Sequence, residues 1–287
     1  MCRVRFAESV IDARDGTNLF VRSYSSDESC DRWLVILHGT SEYGGRYDHV
    51  ARVAVEQGWN VIAPDLRGHG HSGGEPVHTD RFERYLTDLD TIWTHFKLNP
   101  DRTVLAGHSF GGLVSIRFAQ TRPTRLQALV LASPLLGLLV KIGPLKLALG
   151  RLASILRPQT RFRSTVPPEH TCHDPEVLSR RLADPLMHHS ITAAWFFQMK
   201  RALHEVWRDA SQLEVPILAL QAGDDLIVDP AAVEPWLKTT ASREPVFRMI
   251  AGAYHEVFNE LDWRDTLDET LTWLDELVPC VTTAGAS

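Results

Sequence analysis

The segment Gly107-His108-Ser109-Phe110-Gly111-Gly112 is the part of this chain best suited to nucleophilic chemistry. It follows the apolar run Thr103-Val104-Leu105-Ala106 and precedes a stretch of helical pattern from Leu113 to Gln120. A serine on a sharp strand-to-helix turn presents its hydroxyl clear of the backbone, and the flanking glycines leave room where a Cβ would collide. The turn also stands at a helix N-terminus, where free N–H groups and the helix dipole favour developing negative charge. His108 is expected to point away from Ser109 along the turn and to serve the structure.

A serine hydroxyl attacks a carbonyl only if a base takes its proton, and that base needs an acid to hold its tautomer. Of the 13 histidines, His255 lies in a glycine-flanked loop after the last strand pattern, Gly252-Ala253-Tyr254-His255-Glu256. The acid comes from Gly223-Asp224-Asp225-Leu226-Ile227-Val228-Asp229. Strand-then-glycine spacing selects Asp225, while Asp224 and Asp229 read otherwise as turn or cap residues. The chain order is then nucleophile, acid, base. A tetrahedral intermediate further needs donors for its oxyanion. The backbone N–H groups of Phe110 and of Thr40, in Leu37-His38-Gly39-Thr40, are placed to supply them. The implied chemistry is acyl transfer through a covalent intermediate, which calls for no metal and no organic cofactor.

Such side chains need a rigid frame. Apolar runs bounded by turn signals predict strands at 33–37, 60–63, 103–106, 127–132, 216–221 and 246–251, alternating with helical stretches. That pattern predicts an α/β fold, a mostly parallel twisted sheet of about eight strands with helices on both faces. The segments 4–11 and 18–24 flank Asp15-Gly16 and predict an antiparallel hairpin at the sheet edge. Alternation breaks after Ser133-Pro134. Residues 1–133 and 215–278 are therefore assigned to the core, 134–214 to an inserted helical cap without strands, and 279–287 to a flexible tail.

In the cap, Leu145, Ala148, Leu149, Leu152, Ile155 and Leu156 share one helical arc, with Lys146, Arg151 and Arg157 on the other side. Two readings stand: a lid lying on a membrane or micelle surface, or a helix packed on the core beneath it. Trp195 and Phe196, in an apolar cluster at 191–197, either line a substrate channel or anchor the cap to the sheet.

A formal charge of −6 without a concentrated basic face argues against nucleic acid as a partner. With charged residues near the start and no uncharged apolar run long enough to span a bilayer, the expected location is the cytoplasm. Any membrane contact would be peripheral. Cys2, Cys30, Cys172 and Cys280 lack the close spacing of a metal, redox or disulfide motif and are assigned no role. Oligomeric state leaves no mark in the sequence.

Four blocks together carry a resemblance: His38-Gly39-Thr40-Ser41-Glu42-Tyr43-Gly44-Gly45-Arg46-Tyr47, Asp65-Leu66-Arg67-Gly68-His69-Gly70-His71-Ser72, the serine turn, and Gly252-Ala253-Tyr254-His255-Glu256. With them the chain resembles the monoacylglycerol lipase and lysophospholipase branch of the α/β-hydrolases, of bacterial type. The resemblance implies the α/β-hydrolase fold and cleavage of fatty-acyl esters of glycerol or glycerophospholipid. It implies a triad at Ser109, Asp225 and His255 and oxyanion N–H groups at Thr40 and Phe110. Glu42 and Arg46 read as an ion pair that shapes the oxyanion loop. Alternatives are an esterase or amidase acting on another small acyl substrate, and a non-catalytic ligand receptor on the same scaffold.

Overall fold

The computed structural model describes residues 3–27, 30–123, 125–139, 143–164 and 166–280. The first half of the chain forms β1 (Arg5–Asp12), β2 (Asn18–Ser25), β3 (Trp33–Leu37), α1 (Asp48–Glu56), β4 (Asn60–Pro64), α2 (Glu83–His95), β5 (Thr103–His108), α3 (Phe110–Thr121) and β6 (Ala128–Ala132). Then come α4 (Pro144–Leu156), β7 (Arg161–Arg163), α5 (Pro175–Ala183), β8 (Ser190–Thr192) and α6 (Ala193–Arg208). The chain returns through β9 (Ile217–Ala222), α7 (Val233–Leu237), β10 (Val246–Ile250) and α8 (Trp263–Leu277).

Eight strands make one sheet in the order β1-β2-β4-β3-β5-β6-β9-β10. The hairpin β1–β2 joins β4 antiparallel, and every pairing from β4 to β10 is parallel. The central strands are buried on both faces, which is why they read as unbroken apolar runs. Alternate residues serve opposite layers. Val35, Leu37, Leu105 and Leu129 pack under α2, α3, α6 and α7, whereas Leu34, Ile36, Val104 and Val130 pack under α1 and α8. Trp195, Met199, Ala202 and Val206 of α6 belong to the first of these layers, so that helix is anchored on the sheet.

Three expectations are corrected. β5 runs two residues past Ala106, because Gly107 and His108 pair with β6 at Leu131 and Ala132. Tertiary pairing thus overrides the weak strand preference of glycine. The segment between β6 and β9 is not free of strands: β7 and β8 pair antiparallel through Phe162 and Ile191. Three residues each, in Arg-Phe-Arg and Ser-Ile-Thr, are too short for a periodic signal. Finally, Cys30 and Cys280 form a disulfide across a sequence separation of 250, with Cα atoms 5.5 Å apart. The fold brings the approach to β3 against the chain beyond α8, where the Arg32 guanidinium also bonds Asp275 and the Val278 carbonyl. No local spacing encodes that meeting. No helix among the described residues is long and apolar enough to cross a membrane.

Candidate active site

β5 ends in a turn that holds Ser109 at φ 52° and ψ −114°, a strained region for a residue with a side chain. The Ser109 N–H bonds the Ala132 carbonyl and its own carbonyl accepts from Leu113, so the turn is held from β6 and from α3. A Cβ on Gly107 would lie 2.5 Å from the Gly111 carbonyl oxygen, and one on Gly111 would run into the backbone oxygens of Leu37 and His38. The glycine spacing is therefore a demand of close backbone packing. Phe110 opens α3, so its N–H has no intrahelical acceptor.

At the end of β9 the buried Asp225 divides its two oxygens. Oδ1 accepts from the Ile227 and Val228 N–H groups at 2.9 and 3.0 Å, and Oδ2 accepts from His255 Nδ1 at 2.7 Å and Gln221 Nε2 at 3.2 Å. Burial by itself would raise the Asp225 pKa, but the bond and charge of His255 and the two N–H groups outweigh it, and the net shift is downward. Asp229 instead caps a short turn through the Ala231 N–H, and Asp224 is exposed. Of the three aspartates, the fold brings Asp225 to the histidine.

His255 follows β10, and both it and Ser109 are buried on the wall of one cavity of about 580 Å³. Among the described residues no hydrogen bond joins Ser109 Oγ to the imidazole. His108 was expected from sequence to point away from Ser109 and to serve the structure. It lines the same cavity, its ring 4.6 Å from that of His255, with Nδ1 on the Ala132 carbonyl. Burial, with His255 beside it, pushes its pKa down to about 4, so the ring is neutral.

The loop that carries Thr40 is braced by two buried side chains. His38 Nε2 accepts from Leu66 N–H at 2.9 Å, which leaves its proton on Nδ1 to donate to the Gly39 carbonyl. Glu42 Oε1 accepts from the Gly39 N–H and from Tyr47 Oη, and Oε2 from Arg46, the ion pair expected from sequence. Gly39, Thr40 and Ser109 all line the cavity. Asp65 bonds Arg22, the Gly44 N–H and the His71 N–H, tying the loop to β2.

Trp195 and Phe196 line the cavity farther out. Trp195 is buried, 4.9 Å from the Phe110 ring, with Nε1 on Tyr85 Oη, while Phe196 is half-buried. The leucine arc of α4 points to solvent: Leu145 is 73% and Leu156 68% exposed. The helix meets α6 instead through small Gly150, which lies against Phe197. That geometry removes the reading in which the arc packs on the core. Two residues at the cavity wall were not singled out from sequence: Glu256, which follows His255 directly, and Arg181 of α5, which has no motif of its own.

Comparison with known proteins agrees with this architecture. The family described as serine aminopeptidase, S33, matches residues 28–262. Phospholipase YtpA of Bacillus subtilis is 29% identical over 248 residues, 85% of this chain and 95% of the relative. Monoglyceride lipase of Rattus norvegicus is 30% identical over 277 residues, 92% and 89% of the two chains. The crystal structure of Paleococcus ferrophilus monoacylglycerol lipase has a TM-score of 0.83 at 26% identity, covering 90% of this chain and 99% of that one.

Proposed function

Because the chain belongs to the family described as serine aminopeptidase, S33, we propose that it cleaves fatty-acyl esters of glycerol or glycerophospholipid by a two-step acyl transfer. It is a carboxylic ester hydrolase of the monoacylglycerol lipase-like branch of the α/β-hydrolases. In the proposed mechanism Ser109 attacks the ester carbonyl as His255 takes its proton, and Asp225 holds the imidazole with its Nδ1 proton inward. The Thr40 and Phe110 N–H groups stabilise the oxyanion. His255 then protonates the leaving alcohol, and water activated by His255 releases the fatty acid.

The observation that carries this reading is a convergence. The strained Ser109 turn and the hydrogen-bonded Asp225–His255 pair open onto one cavity whose remaining wall includes Leu135, Leu138, Phe162, Trp195 and Phe196. An apolar chamber beside a nucleophile suits an acyl chain. In this reading residues 134–214 act as a lid, and the exposed leucine arc of α4 rests on the micelle or bilayer that presents the substrate.

The test is hydrolysis of a monoacylglycerol, lysophosphatidylcholine, a short nitrophenyl ester and a proline-terminated peptide by wild type and Ser109→Ala. Fastest turnover of either lipid, abolished in Ser109→Ala, is the expected result. Decisive preference for the short ester or the peptide refutes the lipid assignment, and turnover that survives Ser109→Ala refutes the mechanism. Vesicle flotation of wild type against Leu149→Glu/Leu152→Glu tests the surface contact, which fails if both float equally.

A further inference from the structure

Behind the oxyanion loop lies a closed cluster of four charged side chains drawn from three parts of the chain. Glu42, whose Oε1 holds the Gly39 N–H, binds Arg46 through Oε2. Arg46 reaches both oxygens of Glu256, at 3.0 and 2.6 Å. Glu256 Oε1 also accepts from Arg181 Nη1 at 2.8 Å, and Asn259 bonds its other oxygen. Two carboxylates and two guanidiniums make the cluster neutral, and only Arg181 keeps more than a tenth of its side chain exposed, at 17%.

The positions of these residues matter more than their number. Glu42 holds the N–H of Gly39, the residue before Thr40, whose N–H is an oxyanion donor in the mechanism above, and Glu256 is the residue next to His255. The fourth member, Arg181, comes from α5 of the inserted segment. That segment touches the same two loops elsewhere: the Glu256 N–H bonds the Thr171 carbonyl, the His188 N–H bonds the Ser41 carbonyl, and Tyr43 Oη bonds Asp184. Without Arg181 one guanidinium would serve two buried carboxylates, and their repulsion would act on the Gly39 and His255 peptides. Burial raises the pKa of Glu256, yet Arg46 and Arg181 hold it well below the usual carboxylate range. The cluster is thus ionised and needs both cations.

We propose that Arg181 is a positioning residue: seated on Glu256, it completes the cluster that registers the oxyanion loop with the His255 loop, so that full turnover requires the inserted segment to be docked. The inference rests on the roles given above to Ser109, His255 and Thr40. Arg181 also lines the cavity wall, but an effect exerted through Glu256 is independent of the acyl chain, whereas direct contact with the chain is not.

That independence supplies the test. Turnover of a short soluble nitrophenyl ester and of a long-chain monoacylglycerol is measured for wild type, Ser109→Ala, Arg181→Met, Arg181→Lys and Glu256→Gln, with the melting temperature of each. Arg181→Met is expected to lower kcat at least about tenfold on both substrates with KM changed less than about threefold. Arg181→Lys, which restores the charge with a single donor, is expected to recover part of the loss, and Arg181→Met combined with Glu256→Gln to be less than additive. If Arg181→Met fails to fold, Arg181→Lys carries the measurement, with an intermediate kcat on both substrates expected. Unchanged kcat on the short ester, or an effect confined to KM for the long chain, overturns the inference alone. Turnover that survives Ser109→Ala overturns the reading beneath it.

Discussion

Replacing Asp225 by asparagine keeps the shape of the site and reverses one proton. The Ile227 and Val228 N–H groups both point at Oδ1, so the carboxamide oxygen must stay there and the amide nitrogen must take the place of Oδ2. That nitrogen then donates toward His255 Nδ1, where 2.7 Å now separates carboxylate and imidazole. To accept, Nδ1 must give up its proton, and the proton moves to Nε2, the atom that has to receive the Ser109 hydroxyl proton. Gln221 cannot follow freely, since its Nε2 also donates to the Ala222 carbonyl at 3.0 Å and a flip would set Oε1 against that carbonyl. The wrong tautomer is therefore the one that the new amide holds. Loss of the correct tautomer in a serine triad costs about 10⁴ in kcat, roughly 5 kcal/mol of transition-state stabilisation. Stability should suffer less: one charge-assisted bond is lost, about 1.5–3 kcal/mol, or a few degrees in Tm. The assay is steady-state hydrolysis of a short nitrophenyl ester by Asp225→Asn, with a melting curve. A loss below about tenfold in a folded protein would refute the tautomer argument.

Phe196→Ala should shift acyl-chain preference with little change in Tm, because the ring is half-buried on the cavity wall, whereas Trp195→Ala should cost about 3–5 kcal/mol through lost core packing. An unchanged chain-length profile in Phe196→Ala, read from a series of nitrophenyl esters, removes it from the channel. Acid should destabilise the fold through His108, which the unfolded chain protonates near 6.5 and the folded one only near 4. The unfolded state binds the extra proton in between, so this contribution is whole above pH 6.5 and is lost as pH falls toward 4, with buried His38 and His69 acting in the same direction. Denaturant titrations from pH 7 to 4.5 should show a shallower decline for His108→Gln, and equal slopes would count against it. Cys30→Ser should lower stability by about 2–4 kcal/mol with kcat preserved, and reductant should expose two additional thiols in denatured wild type; no gain in thiols would mean that the bridge does not form.

Much of the frame was legible from residue pattern alone. Strands buried on both faces have to be apolar throughout, so β3, β4, β5, β6 and β9 stood out as runs, and Asp15-Gly16 marked its hairpin. The serine turn was legible because two backbone approaches exclude every side chain at Gly107 and Gly111. Chemistry that depends on a contiguous turn leaves a contiguous signature. The choice of Asp225 over its two neighbours was harder: spacing favours it, but the carboxylates differ in which one the β9 turn rotates inward, toward a histidine 30 residues away. The contact of His108 with His255 was illegible for a related reason, since it crosses from β5 to the loop after β10.

The inserted segment was the least legible. Its periodicity marks an apolar arc on α4 but carries no information about which way the arc faces, and the fold turns it outward by seating Gly150 on α6. Arg181 and Glu256 have no shared motif, and neither do Cys30 and Cys280, because each pair meets only after the chain has closed on itself. Sequence determined what close backbone packing and two-sided burial demand locally: the sheet and the serine turn. Tertiary structure decided the contacts between distant segments, where many residue types are admissible and the particular partner depends on where the sheet places both chains.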